Sequence, residues 1–129
     1  MTGMKNPHEH EARERWGETE AWRESGRRTR SYTPAQVQTI KDELEEIEEA
    51  FAALLRKGTA PDAGPAREVA ERARLHIDRW YYPCPPAMHT ALAEMYMSDP
   101  GFRSHYEERE EGLAEFVARA VQANAARED

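Results

Sequence analysis

Residues 33–58 read TPAQVQTIKDELEEIEEAFAALLRKG, and the spacing of their apolar side chains decides the fold class. Thr33 suits the N-cap of a helix, and Pro34 suits its first turn because a proline loses no hydrogen bond there. Apolar residues then recur at three- and four-residue steps until Gly58, where we expect the helix to end. They are Val37, Ile40, Leu44, Ile47, Phe51, Leu54 and Leu55. The pattern predicts a long amphipathic helix whose apolar face is buried.

A coiled-coil seam is the alternative interpretation of the same helix. Val37, Ile40, Leu44 and Ile47 could pair with a second copy, although the segment offers only about three heptads. The opposite face, within DELEEIEEA, is heavily acidic. Packing within one chain is favoured, and a homodimer or partner-interaction domain without a small-molecule ligand remains the alternative.

The remaining sequence is also helical in its periodicity, and no run of strict alternation predicts a strand. TAPDAG, residues 59–64, is typical of a loop, and Pro65 suits the start of a helix that runs to about Trp80. Pro83, Pro85 and Pro86 force an extended link. A helix from about Pro86 to Ser98, a short one capped by Asp99 and a last one from about Glu111 complete an all-α bundle of five or six helices.

The first 32 residues have a different character. One short helix is expected over Glu9–Trp16 and a second from Thr19 through Trp22 towards Arg30. Few aliphatic residues are present to anchor either one, so short helices here should be labile. We therefore divide the chain into a flexible N-terminal arm, residues 1–32, and a folded domain, residues 33–129.

Composition excludes several function classes. The chain has 129 residues, a net charge of −7 and a mean hydropathy of −0.96. An acidic chain of this size suits one domain and argues against a nucleic-acid partner, which requires clustered Lys and Arg. One cysteine cannot form an internal disulfide, and no apolar run of about twenty residues is present to enter a membrane. A cytoplasmic location is expected.

Chemical variety is concentrated between Leu75 and Tyr106. This stretch holds six of eleven aromatic residues, three of five methionines, three of five histidines and the single cysteine. Aromatic faces and adaptable thioethers suit a flat apolar ligand as well as a core. Trp80, Tyr81 and Tyr82 are consecutive and cannot all face one core, so at least one should face a cleft or solvent.

Catalysis and metal binding are both disfavoured. Cys84 precedes a predicted helix start, where a thiol pKa is lowered, and His89 is near in sequence, but a small buried residue between prolines is the favoured interpretation. His76, Cys84 and His89 match no zinc spacing, and the two histidines suit hydrogen-bonded core positions. The glutamate runs at 45–49 and 107–111 are interpreted as solvated helix faces. We expect no enzyme activity, no metal and no cofactor.

An ordered set of short motifs resembles a known family. The motifs are Glu14-Arg15-Trp16-Gly17 with Thr19, Ser31-Tyr32-Thr33, Pro61-Asp62, Tyr82-x-Cys84, Met88-His89-Thr90, Glu94-Met95-Tyr96, Ser98-Asp99-x-x-Phe102, Gly112-Leu113-Ala114 and Ala123-Asn124-Ala125. They resemble the TipAS antibiotic-recognition domains, which often follow a MerR-type DNA-binding domain in bacterial regulators of multidrug and thiopeptide response.

The resemblance implies a globin-like domain that encloses a large, heterocycle-rich antibiotic, with the N-terminal helices ordering around it. The ligand-binding residues it suggests are Trp16, Trp22, Trp80, Tyr81, Met88, His89, Leu92, Met95, Tyr96, Phe102, Tyr106 and Phe116. Members that capture a thiopeptide covalently use a cysteine at the position of Ala91, so binding here should be non-covalent. The His-Arg pair common in the third helix reads Ala73-Arg74. With no DNA-binding half preceding it, the domain is expected to sequester or sense a drug rather than bind promoters.

Overall fold

The computed structural model describes residues 20–126, and these residues form six helices and no strand. The helices are α1 (Glu20–Thr29), α2 (Pro34–Arg56), α3 (Gly64–Trp80), α4 (Pro86–Ser98), α5 (Pro100–Arg109) and α6 (Leu113–Ala126). The all-α prediction is confirmed. The helix predicted over Glu9–Trp16 and the cap predicted at Thr19 lie outside the described residues.

The ends of α2 follow from side-chain and backbone chemistry that the sequence displays. The Thr33 hydroxyl oxygen accepts the Gln36 N–H at 3.1 Å, and the Thr33 N–H donates to Gln36 Oε1 at 2.9 Å. This reciprocal pair satisfies two amides that a helix start would leave without partners. Gly58 then adopts a φ of 81°, a conformation that favours glycine, and the helix ends before it.

The last helix starts at Leu113, two residues after the predicted Glu111. Gly112 has a φ of 88°, which is not helical, so the helix begins after it. The carboxylate that caps α6 comes from the preceding helix, because Glu107 accepts the N–H groups of Gly112 at 2.8 Å and Ala114 at 3.0 Å. Those contacts hold the pKa of Glu107 below its ordinary value.

Helix α6 lies at the centre of the bundle and contacts α2, α3, α4 and α5. Its predicted apolar residues are buried, namely Leu113, Phe116, Val117, Ala120 and Val121. Phe116 meets Phe51 of α2 edge to face, with ring centroids 6.4 Å apart. This main core therefore joins the long helix that decides the fold to the C-terminal helix.

One expectation about α2 is corrected by its contact with α5. Glu48 belongs to a run interpreted as a solvated face, yet it is only 5% exposed. Position 48 falls at the margin of the apolar face, where α5 covers it. His105 Nε2 lies 2.9 Å from Glu48 Oε2, and Arg109 reaches Glu48 at 3.4 Å and Glu45 at 2.6 Å. The buried carboxylate is thus partnered, as a buried charge requires.

Helix α1 docks on the end of α3 without burying any of its own residues. Arg28 Nη1 donates to the Asp78 carbonyl at 2.8 Å, and the Tyr32 hydroxyl donates to the Trp80 carbonyl at 2.6 Å. The Tyr32 ring also meets the Trp80 indole edge to face at 5.4 Å. These contacts tie Arg28 and Tyr32 to the end of α3. The division of the chain at residue 32 stays a prediction.

Candidate functional site

A second apolar cluster lies apart from the main core and is the candidate site. Its floor is buried and consists of Cys84, Leu92 and Met95. Its rim is partly exposed and consists of Ile77, Tyr82, Met88, Tyr96 and Phe102. A rim of aromatic, thioether and branched aliphatic side chains over an apolar floor has the chemistry of a pocket for a flat apolar ligand.

Three helices and one link bring the second cluster together. Helix α3 supplies Ile77 in its last turn, α4 supplies residues at helical spacing from Met88 to Tyr96, and α5 supplies Phe102. The link between α3 and α4 supplies Tyr82 and Cys84. Its backbone is held at Cys84, whose N–H donates to Asp78 Oδ1 and whose carbonyl accepts from Arg74 Nη1, both at 2.8 Å.

Tyr96 joins the second cluster to the main core. Its ring centroid lies 5.5 Å from that of Phe102, on the rim, and 5.3 Å from that of Tyr106, in the core. Tyr106 in turn meets the His105 ring at 5.3 Å. A row of four rings therefore runs from the candidate site to the ion pairs between α5 and α2.

Burial disfavours ionisation of the tyrosines and the cysteine in and around this cluster. It raises the pKa of Tyr81 to about 12 and raises those of Tyr82, Tyr96 and Tyr106 as well. Burial also raises the pKa of the Cys84 thiol to about 12, against the lowering expected at a helix start. Desolvation outweighs the helix dipole because Cys84 is 0% exposed. A neutral, enclosed thiol is a poor nucleophile.

The two histidines predicted in core positions differ in their hydrogen bonding. His76 Nε2 lies 3.2 Å from the Ile40 carbonyl oxygen, which confirms a bonded core histidine. His89 is 2% exposed, and its Nδ1 has no hydrogen-bond partner among the described residues. Burial, with Arg74 nearby, lowers the pKa of His89 to about 4, so its ring is neutral near pH 7.

The structure separates the predicted site residues into groups. Met88, Leu92, Met95, Tyr96 and Phe102 meet in the second cluster, and His89 is buried on the same helix. Tyr106 and Phe116 belong to the main core.

Trp22, Trp80 and Tyr81 do not belong to the second cluster. Trp80 is 8% exposed and donates its indole N–H to Glu43 at 2.8 Å, whereas the adjacent Tyr81 is partly exposed. Trp22 is partly exposed on α1, and Trp16 lies outside the described residues.

Sequence reasoning missed Ile77 and Tyr82 as members of the second cluster. It also placed Leu44 within a buried stripe, yet Leu44 is 39% exposed while Ile40 and Ile47 on the same face are 1% and 5% exposed. The helices among residues 20–126 leave the inner face of α2 uncovered at this level. The spacing of Leu44 gives no sign of this exposure, which only the packing of the helices reveals.

A shallow open groove of about 300 Å³ lies elsewhere, between α2 and α3. Glu43, Glu46, Ile47, Arg72, Leu75, His76 and Arg79 line it, and none of them belongs to the second cluster. Four of its seven lining residues carry charged side chains, whereas the second cluster consists of apolar and aromatic ones. The second cluster is the better candidate on chemical grounds.

Metal and membrane chemistry find no support between residues 20 and 126. Within that range no three His, Cys, Asp or Glu side chains are grouped to hold a metal ion. None of the six described helices is both long and apolar enough to cross a membrane.

An all-α bundle with an aromatic-rimmed apolar cluster beside its core has the architecture of a small-molecule recognition domain. Residues 8–124 match the sequence model of the TipAS antibiotic-recognition domain, and the chain belongs to that family. The family is one of ligand-recognition domains of transcriptional regulators.

Two transcriptional activators and two solved structures show where the similarity extends. The chain is 42% identical over 120 residues to the activator TipA of Streptomyces coelicolor, covering 93% of this chain and 47% of TipA. It is 30% identical over 124 residues to the activator mta of Bacillus subtilis, covering 92% of this chain and 47% of mta. The chain thus spans about half the length of the relatives that it matches.

The similar structures are both antibiotic-binding domains. One is TipAS of Streptomyces lividans in complex with the thiopeptide nosiheptide, with a TM-score of 0.86, 42% identity, and coverage of 97% of this chain and 89% of that one. The other is the antibiotic-binding domain of a TipA-class multidrug resistance regulator, with a TM-score of 0.65, 40% identity, and coverage of 70% and 96%. The resemblance deduced from the motifs is confirmed.

Proposed function

We propose that this domain binds a large apolar, heterocycle-rich antibiotic, thiopeptide-like or another polycyclic drug, and holds it non-covalently at the second cluster. The observation that carries the proposal is the partly exposed rim of Ile77, Tyr82, Met88, Tyr96 and Phe102 over a buried apolar floor. The nosiheptide complex of TipAS, a domain 42% identical to this chain, supports the ligand class.

Apolar burial is the main source of affinity in this proposal. Each Å² of apolar surface that the ligand removes from water contributes about 25 cal/mol, less the cost of ordering side chains and chain segments. Trp16, Trp22 and Tyr81 are proposed to add aromatic faces, and of these Trp22 on α1 and Tyr81 after α3 are partly exposed. Trp80, Tyr106 and Phe116 are buried and stay predicted contacts, and Tyr106 reaches the rim through Tyr96, with ring centroids 5.3 Å apart.

His89 supplies a polar contact in the proposed complex. Its Nδ1 is buried and unpartnered among the described residues, and leaving such a group unsatisfied costs about 1–3 kcal/mol. A heteroaryl nitrogen, amide or hydroxyl of the ligand would recover part of that cost. Because the ring is neutral near pH 7, it offers one donor and one acceptor.

The domain acts by binding and not by catalysis. Cys84 is fully buried and its pKa is raised to about 12, and Ala91 stands where the family's covalent members carry a reacting cysteine. The relatives are transcriptional activators, so the proposed role is to sequester or report a drug in the cytoplasm. We expect no nucleic-acid partner for these acidic residues.

Titration with nosiheptide and a panel of planar antibiotics, followed by tryptophan fluorescence, tests the proposal. Two methionines on α4 form a matched pair, since Met88 packs on the second cluster and Met97 packs against the main core. Met88→Ala should weaken binding roughly tenfold through lost apolar contact. Met97→Ala should leave the affinity near that of the wild type.

Two results would count against this site. No saturable fluorescence change with any member of the panel would favour an interaction domain without a small-molecule ligand. Equal losses of affinity in both methionine variants would show that binding does not involve the second cluster.

A further inference from the structure

The proline-rich end of the link between α3 and α4 has almost no backbone donors. Pro83, Pro85 and Pro86 lack an N–H, so within residues 83–86 only Cys84 can donate a backbone hydrogen bond. Asp78 takes that single donor at 2.8 Å. Asp78 is therefore the one partner of a main-chain amide within residues 83–86, whereas the N–H groups of Tyr81 and Tyr82 before it donate to the Ile77 carbonyl at 2.8 and 3.2 Å.

Arg74 holds the next peptide unit, on the carbonyl side of Cys84. Its Nη1 donates to the Cys84 carbonyl at 2.8 Å, and its Nε donates to Glu71 Oε1 at 3.0 Å. Glu71 Oε1 also accepts from Asn124 of α6 at 2.8 Å. Cys84 is thus gripped between two residues of α3, one of which is tied to the central helix.

The position of Asp78 argues that its role lies outside its own helix. It stands in the last turn of α3, where a carboxylate is disfavoured by the negative end of the helix dipole. The hydrogen bond to Cys84 offsets that penalty. On its two sides the gripped link carries Tyr82 and leads to Met88, both on the rim of the second cluster.

We infer that Asp78 and Arg74 are positioning residues for the ligand site. They act as a two-point clamp on the two peptide units that flank Cys84, and the clamp fixes Tyr82 and Met88 relative to the floor. This inference rests on the proposed function. The clamp lets a proline-rich link, which has few backbone hydrogen bonds of its own, present a preformed rim.

Cys84 provides a reporter of the clamp that needs no ligand. It is the only thiol in the chain and is 0% exposed, so a thiol reagent such as DTNB reacts only when the link opens. Asp78→Ala and Arg74→Ala should accelerate labelling roughly ten- to hundredfold, as expected for loss of a hydrogen bond to a charged group. Asp78→Asn retains a carbonyl acceptor but loses the charge, so it should label clearly more slowly than Asp78→Ala.

Glu115→Ala is the control for removal of a carboxylate. Glu115 pairs with Arg119 on the exposed face of α6, with Oε2 at 2.7 Å from Arg119 Nε. It should change neither labelling nor the melting temperature appreciably. Labelling of Asp78→Ala at the wild-type rate would overturn the clamp, as would equal acceleration in Asp78→Asn or Glu115→Ala.

Nosiheptide titration of the same variants tests the positioning role. Asp78→Ala should bind at least about tenfold more weakly than the wild type, with Asp78→Asn restoring part of the affinity. If Asp78→Ala labels faster yet binds nosiheptide as tightly as the wild type, the residues hold the link but do not position the site. If the wild type itself binds no member of the panel, the proposed function fails, and the labelling rates still decide whether the clamp exists.

Discussion

Leu44 shows that a residue can satisfy the helical pattern of a core and remain outside it. Ile47, three positions later on the same face, is 5% exposed, whereas Leu44 is 39% exposed. Truncation to alanine should therefore affect the two unequally. We expect Ile47→Ala to lower the free energy of unfolding by about 2–5 kcal/mol and Leu44→Ala to lower it by less than about 1 kcal/mol.

Urea denaturation of the two variants measures that difference directly. Similar slopes against urea concentration would show that both unfold as the wild type does, so that the midpoints can be compared. A loss for Leu44→Ala as large as that for Ile47→Ala would mean that position 44 is packed in solution. In that case the inner face of α2 is covered at this level.

Membership of the candidate site was predictable from single residues only in part, and which residues contact a ligand stays a prediction. Met88, Leu92 and Met95 share a face of α4 by their spacing, and the structure brings them together. Tyr106 and Phe116 have the same chemistry but lie in the main core. Periodicity reveals which residues face inward, but the packing of neighbouring helices decides which of two clusters they join.

At the scale of helices, the contact between α2 and α5 should depend on pH. Hydrogen bonding to Glu48, strengthened by its charge, raises the pKa of His105, and the charge of Glu108 acts in the same direction. Desolvation and the charge of Arg109 lower the same pKa, and the net shift is upward. A raised folded-state pKa gives stability that is fully present below about pH 6.5, the unfolded value, and is lost as pH rises through the folded value. His105→Gln should therefore destabilise the domain more at pH 6 than at pH 8.

Chemical denaturation of the wild type and His105→Gln at both pH values tests this sign. The difference should stay below about 1 kcal/mol because the His105 side chain is 42% exposed. His76 and His89 have lowered pKa values, but they are present in both proteins and cancel in the comparison. A difference that is equal at the two pH values, or larger at pH 8, would show that the Glu48 contact does not favour protonated His105.

The helix boundaries were the most predictable feature because local chemistry fixes them. The Thr33 cap and the Asp99 cap, which accepts the Gly101 N–H at 2.9 Å, are formed by residues adjacent to the helices they start. The start of α6 was missed by two residues because its cap is Glu107 from the preceding helix. The burial of Glu48 was missed for a similar reason, since α5 supplies both of its partners.

At the scale of the whole molecule, the apolar face of the long acidic helix α2 packs within its own chain, against α3 and α6. The seam proposed as an alternative needs Ile40 and Ile47 at its centre, but they are 1% and 5% exposed in a single copy. Of the four seam residues, Leu44 and Val37 alone retain exposed surface. The area of two side chains is far less than a specific interface buries. A net charge of −7 on each copy further opposes association at low salt.

We therefore expect a monomer in sedimentation equilibrium across a hundredfold range of protein concentration. Leu44→Glu should leave the sedimenting mass unchanged, because Ile40 and Ile47, which the seam needs, are already buried within one copy. A concentration-dependent dimer that Leu44→Glu abolishes would contradict this prediction and restore the seam. Since α2 would then have to expose Ile40 and Ile47, such a dimer would also require the packing of α2 on α3 and α6 to open.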